Sequence, residues 1–159
     1  MGYRTKNELE HFDFKEALID EIREENGHLY VELGYVTILG NNSCNRDIRT
    51  MGTNALTLQL YQVSEKRLVR EGYKHYDADG NLKGQQEDEV IPPEEISGLY
   101  QELAGSVIFH LEKSGEQYRF LIDGEERTYA CTVKAEHDIE EWERFMNIQN
   151  EGGYGNVGI

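Results

Sequence analysis

Disulfides, prolines, long apolar runs and positive charge are all scarce in this chain. Two cysteines, Cys44 and Cys131, are too few for a disulfide scaffold in 159 residues, and both are expected as free thiols. Only Pro92 and Pro93 interrupt the backbone, and without a low-complexity tract the body of the chain is not of the disordered class. No apolar run approaches the ~20 residues that span a bilayer. Residues 1–8 lack the apolar core of a secretory signal, so a cytoplasmic, membrane-free location is expected. Met1-Gly2 opens a myristoylation string, but Lys6 stands where Ser or Thr is required. Sixteen Lys and Arg face 31 Asp and Glu, a net charge of −15. That field repels nucleic-acid phosphates and anionic lipid, and it attracts a basic protein.

What is present suffices for a core. Hydrophobic residues make up 38% of the chain, with ten tyrosines and five phenylalanines. The length fits one domain, placed at 1–147, with residues 1–11 expected to fray and a Gly/Asn-rich tail over 148–159 expected to be disordered.

Asn26-Gly27 is a strong hairpin signal, because both residues tolerate positive φ. Before it, Leu18, Ile19 and Ile22 read as a strand, although Phe14, Leu18 and Ile22 also fit a helix with Gly27 as its cap. After Gly34 the apolar phase slips to Val36 and Ile38, as a β-bulge would make it do. Residues 40–54 lack periodicity, and long loops in compact domains often carry function. Leu56, Leu58 and Leu60 alternate cleanly, and residues 66–76 read as a more exposed strand. Asp77 to Asn81 forms a turn. A meander follows with Val107, Phe109 and Leu111, then Tyr118, Phe120 and Ile122, then Tyr129, Cys131 and Val133 on its apolar face. Ser114-Gly115 and Asp123-Gly124 supply its turns.

Two helices are expected, at about 93–104 and 138–147. Pro92-Pro93-Glu94-Glu95 starts the first, with Ile96, Leu99, Tyr100 and Leu103 on one stripe. Asp138 and Glu141 form a capping box for the second, with Ile139, Trp142 and Met146 on its buried side. The fold class is therefore α+β, mainly antiparallel β: a curved sheet or partial barrel of about seven to eight strands with two packed amphipathic helices.

Catalytic and cofactor motifs are weak. Gly153 to Gly158 spells G-x-G-x-x-G, but it follows no strand and opens no helix. Asp77, Asp79 and Asn81 begin like a calcium loop, yet Leu82 occupies the position that needs glycine. The five histidines, His11, His28, His75, His110 and His137, have no zinc-ligand spacing to one another or to a cysteine. No metal or cofactor is expected. Cys44, with Arg46, Asp47 and Arg49 around it, marks a candidate interaction loop, since a local positive field lowers a thiol pKa. No base is spaced to activate that thiol. Acidity is uneven: residues 84–104 hold six acids and no base, whereas 44–74 carry Arg46, Arg49, Lys66, Arg67, Arg70 and Lys74.

The early Ala17-x-Ile19-x-x-Ile22 strand, the hairpin, the polar loop and the closing Asp138-x-x-Glu141-Trp142-Glu143-x-Phe145 segment resemble, at the level of pattern, small bacterial domains found around secreted-toxin and immunity gene clusters. The resemblance spans roughly residues 12–147 and carries over no functional residue. It implies an acidic protein that plugs the site of a basic toxin. A non-enzymatic module binding a basic protein is therefore the leading expectation. The alternatives are a small-ligand carrier with a pocket lined by Tyr30, Tyr61, Phe109 and Phe120, and, third, an enzyme using Cys44.

Overall fold

The computed structural model describes residues 2–46 and 49–147. The fold is mostly antiparallel β, with strands β1 (Tyr3–Lys6), β2 (Phe12–Asp13), β3 (Leu18–Glu25), β4 (His28–Gly34), β5 (Val36–Ile38), β6 (Met51–Thr53) and β7 (Leu56–Arg70). Then come β8 (Tyr73–Tyr76), β9 (Leu82–Gln86), β10 (Glu89–Ile91), β11 (Val107–Ser114), β12 (Gln117–Asp123), β13 (Thr128–Trp142) and β14 (Met146–Asn147).

Eight strands make one curved sheet in the order β1-β13-β12-β11-β3-β4-β7-β10, and β13 also pairs with β7. The six inner strands thereby close on themselves. The weakest seam, β3 against β11, is sewn by backbone bonds from Ile108 N to Ala17 O (2.9 Å) and from Ile19 N to Ser106 O (2.8 Å). β7 and β13 run antiparallel from Leu56↔Trp142 to Tyr129↔Arg70 and form the spine. Inside lie Ile19, Val31, Leu58, Leu60, Leu68, Tyr118, Phe120 and Val133, all buried. A small second sheet, β14-β6-β5-β2, packs an aromatic group at one end, where Phe12 meets Trp142 edge-on at 5.4 Å. β8 and β9 form a separate two-stranded arm.

The hairpin signals hold. Asn26 and Gly27 take φ of +54° and +83°, the pairing of a two-residue turn that matches strand twist. Residues 18–25 are strand rather than helix, because β4 and β11 supply partner edges on both sides. Asp77 organises the arm's turn by accepting from the N–H groups of Asp79 and Asn81, both at 2.9 Å. At Gly72 a Cβ would stand 2.1 Å from Gln86 O, so only glycine lets the arm's two legs meet.

Several expectations are corrected. The segment 138–147 is not a helix: residues to Trp142 continue β13, since β7 offers a strand edge as long as β13 itself and satisfies its backbone groups. The segment 93–104 is a 3-10 turn (Pro93–Leu99) followed by one α turn, α1 (Tyr100–Leu103). Two packed amphipathic helices therefore do not exist. Ile96, Tyr100 and Leu103 still bury their stripe, so this segment plugs one end of the sheet. At Gly34 the strand breaks instead of bulging: Tyr35 adopts φ +58°, and β5 resumes in the other sheet. A register shift between Ile108 and His110 buries Ile108 and turns Phe109 outward at 40% exposure. Residues 3–6, expected to fray, form β1 against β13. The tail expected over 148–159 lies outside the described residues.

Candidate functional site

The aperiodic loop is built from side-chain-to-backbone bonds. Asn45 Nδ2 donates to Leu39 O (3.1 Å) and Arg49 O (2.9 Å), and Asn42 Oδ1 accepts from Cys44 N (2.9 Å). Glu8, just before a 3-10 turn (Leu9–His11), anchors the loop from outside. Its carboxylate accepts from Ser43 N at 2.9 Å and from Ser43 Oγ, with His11 Nδ1 at 3.0 Å. Burial works against ionising Glu8, but the Ser43 and His11 donors hold its pKa below the ordinary glutamate value.

Cys44 is partly exposed, and its Sγ points to Arg4 O at 3.7 Å. Among the described residues its hydrogen-bond partners are the Arg4 carbonyl and, through its backbone N–H, Asn42 Oδ1, neither of which is a base. Arg46 and Arg49 are exposed, and Asp47 lies outside the described residues. The loop thus brings Cys44 to β1. Cys131 borders the interior, where burial pushes its thiol up to about 12.

Beneath β1 lies a feature that the sequence reading missed. Asp138 and Glu140, successive inward residues of β13, are both fully buried opposite Leu60 and Leu58. Asp138 Oδ1 accepts from Tyr118 Oη and from Lys113 Nζ, each at 3.3 Å. Thr5 Oγ1 of β1 donates to Glu140 Oε1 at 2.7 Å. Burial, followed by the Asp138 charge, pushes Glu140 up to about 9. Reading 138–147 as a helix made these residues caps and surface. Alternation carried on from Tyr129, Cys131 and Val133 would have placed them outward. A register shift between Lys134 and Ala135 sets Asp138 and Glu140 opposite Leu60 and Leu58 instead, and no local signal marks it.

The exterior carries the remaining candidates. All six acids of 84–104 are exposed: Glu87 and Asp88 in the connection before β10, Glu89 on β10, and Glu94, Glu95 and Glu102 on the plug. Beside them runs an open groove of about 670 Å³ whose floor includes Val63, Val90, Ile91 and Pro93. On β7, between the β4 pairing that ends at Leu60 and the β10 pairing that starts at Leu68, this groove meets a stretch with no paired strand on that edge among the described residues. Ion pairs pin the plug to the sheet. Lys66 Nζ and Tyr100 Oη both donate to Glu24 Oε2 at 2.5 Å, while Arg70 bonds Glu89 (2.6 Å) and Glu102 (3.1 Å).

Tyr30, Tyr61, Phe109 and Phe120 do not share a pocket. Phe120 is buried and Phe109 faces out, while Tyr61 stacks between His28 and His137 at 4.4 and 4.5 Å. The cavity inside the sheet, bordered by Ile19, Phe120 and Tyr100, measures about 20 Å³, room for about one water. Among the described residues no group of three or more His, Cys, Asp and Glu side chains gathers as a metal set, and no helix is long and apolar enough to cross a membrane. Comparisons with family models, curated proteins and solved structures give no match to this chain.

Proposed function

We propose that this protein is a non-enzymatic binding module that engages a basic protein partner, in the manner of an immunity protein held against its toxin. The observation that carries the reading is the run of six exposed acids from the connection before β10 through the plug, beside a groove with an apolar floor. Apolar contact beside charged groups is the usual composition of a protein interface. Glu24, Glu65, Lys66 and Arg67 line the groove itself, and the excess of acids next to it steers an oppositely charged partner. The net charge of −15 extends that steering over the whole surface.

The carrier alternative needs an enclosed space, and about 20 Å³ inside the sheet favours the surface reading. Fluorescent Lys/Arg-rich peptides, titrated against the protein in low and high salt, test the proposal. Binding should weaken about tenfold or more when Glu87, Asp88, Glu89, Glu94 and Glu95 are changed together to their amides, and it should weaken with salt. Affinity unchanged by that variant would defeat the assignment of this face.

A further inference from the structure

The carboxyls of Asp138 and Glu140 are both buried beside β1, and among the described residues donors reach only one oxygen of each. Asp138 Oδ1 takes Lys113 and Tyr118, and Glu140 Oε1 takes Thr5. Asp138 Oδ2 and Glu140 Oε2 are buried without a donor. The two side chains are alternate residues on one face of β13, opposite Leu60 and Leu58, and the Asp138 carboxylate acts directly on Glu140, pushing it up. Two carboxylates so placed, away from water, repel strongly and leave both orphan oxygens unsatisfied. One proton on Glu140 Oε2, donated to Asp138 Oδ2, removes both deficits and leaves a single negative charge opposite Lys113.

We propose that Asp138 and Glu140 form a proton-binding site that fastens the N-terminal strand β1 to the sheet, and that loss of this proton in alkaline solution releases β1. The surrounding groups favour retention of the proton. Glu8, just before the 3-10 turn, adds negative charge near Glu140. Tyr118 from β12 has its pKa raised by burial, then by Asp138, with Glu140 and Glu116 adding to it, so it remains a donor. Lys113 from β11 is shared between Asp138 and Asn7 Oδ1, each at 3.3 Å, and is the cation that faces the pair. β7 contributes only the apolar Leu58 and Leu60 in register.

β1 is the element free to yield. It has four residues and pairs on one side only, with Ile139–Trp142. Its buried Thr5 touches the carboxyl that would become charged. Other strands around the pair are held on both edges, so their opening is tied to that of the whole sheet.

The chain contains one tryptophan, and it reports on this strand: Tyr3 of β1 stacks on Trp142 at 5.6 Å with a 23° interplanar angle. Trp142 fluorescence should therefore show a transition on raising the pH above neutrality, and Glu140→Gln, which keeps a donor at the shared position, should lack it. Tyrosine ionisation alters both proteins alike and is removed by their difference. A wild-type protein flat to about pH 10, or a variant that titrates in the same way, overturns the proposal. Carbon-13 NMR of the Glu140 carboxyl supplies a second reading that does not depend on the variant folding. An inflection above neutral pH supports the site; one near the ordinary glutamate value of about 4.3 overturns it.

Discussion

The two ends of this sheet use the same residue types to opposite effect. At the plug end, Glu24 meets Lys66 and Tyr100, and Glu102 meets Tyr129 and Arg70, with both carboxylates within reach of water. Tyr129, then Arg70, holds Glu102 below the ordinary carboxylate range, while at Glu24 the Lys66 and Tyr100 bonds outweigh the effect of burial. At the β1 end, the one lysine, Lys113, pairs with Asp138 and not with Glu140; both acids are buried, and Glu140 moves up instead. The direction is set by how many opposite charges and donors each carboxyl finds and by how dry the site is, not by the side chain.

Removing the cation from each end gives the sharpest contrast. Lys113→Met should destabilise the protein by about 3–5 kcal/mol in urea unfolding, because Asp138 stays buried without its partner. Lys66→Met should cost only about 1 kcal/mol, since Glu24 is part-exposed. Equal losses would erase the contrast between the ends. Next in size, Tyr118→Phe should cost about 1–3 kcal/mol by removing a donor to buried Asp138, and more than Tyr129→Phe at the wetter end.

The pH dependences should run in opposite senses. Glu140 is raised in the folded state, so its contribution is full below the ordinary glutamate value and falls as pH rises toward about 9. Glu24 and Glu102 are lowered, so their contributions are full above that value and fade as pH falls through their folded values. Urea midpoints taken across the pH range should decline on both flanks. Glu140→Gln should flatten the alkaline flank and Glu102→Gln should soften the acid one. A variant that changed the wrong flank would break the assignment. Smallest of all, iodoacetamide should label partly exposed Cys44 while Cys131, with its raised pKa, stays unmodified in the folded protein, as peptide mass mapping would show.

Strand content and turns were legible because their signals are local. Asn26-Gly27, Asp77 to Asn81 and Ser114-Gly115 carry the backbone preferences of their turns, and Leu56, Leu58 and Leu60 alternate without interruption. Residues 138–147 misled because Ile139, Trp142 and Met146 satisfy helical spacing as well as Ile139 fits a strand. Phe109 misled because a register shift at Ile108 reverses which side faces in, and nothing local marks it. Of the aperiodic segment expected over 40–54, Met51–Thr53 is instead strand β6, paired with β5 and β14, and the attachment of the part around Cys44 to Glu8 and Arg4 joins residues 35 or more positions apart.

Sequence by itself therefore determined the acidity, the β-rich character, the turn positions and the absence of a local catalytic motif. These follow from composition and from preferences that act over a few residues. Only the tertiary structure decided that β7 and β13 pair along their whole length, which turned the expected second helix into strand. That pairing carried two acids into the core beside Thr5, more than 130 residues away in the chain. Burial and like-charge proximity belong to the assembled fold, so the raised Glu140 carboxyl and the proton proposed to hold it could be read only there.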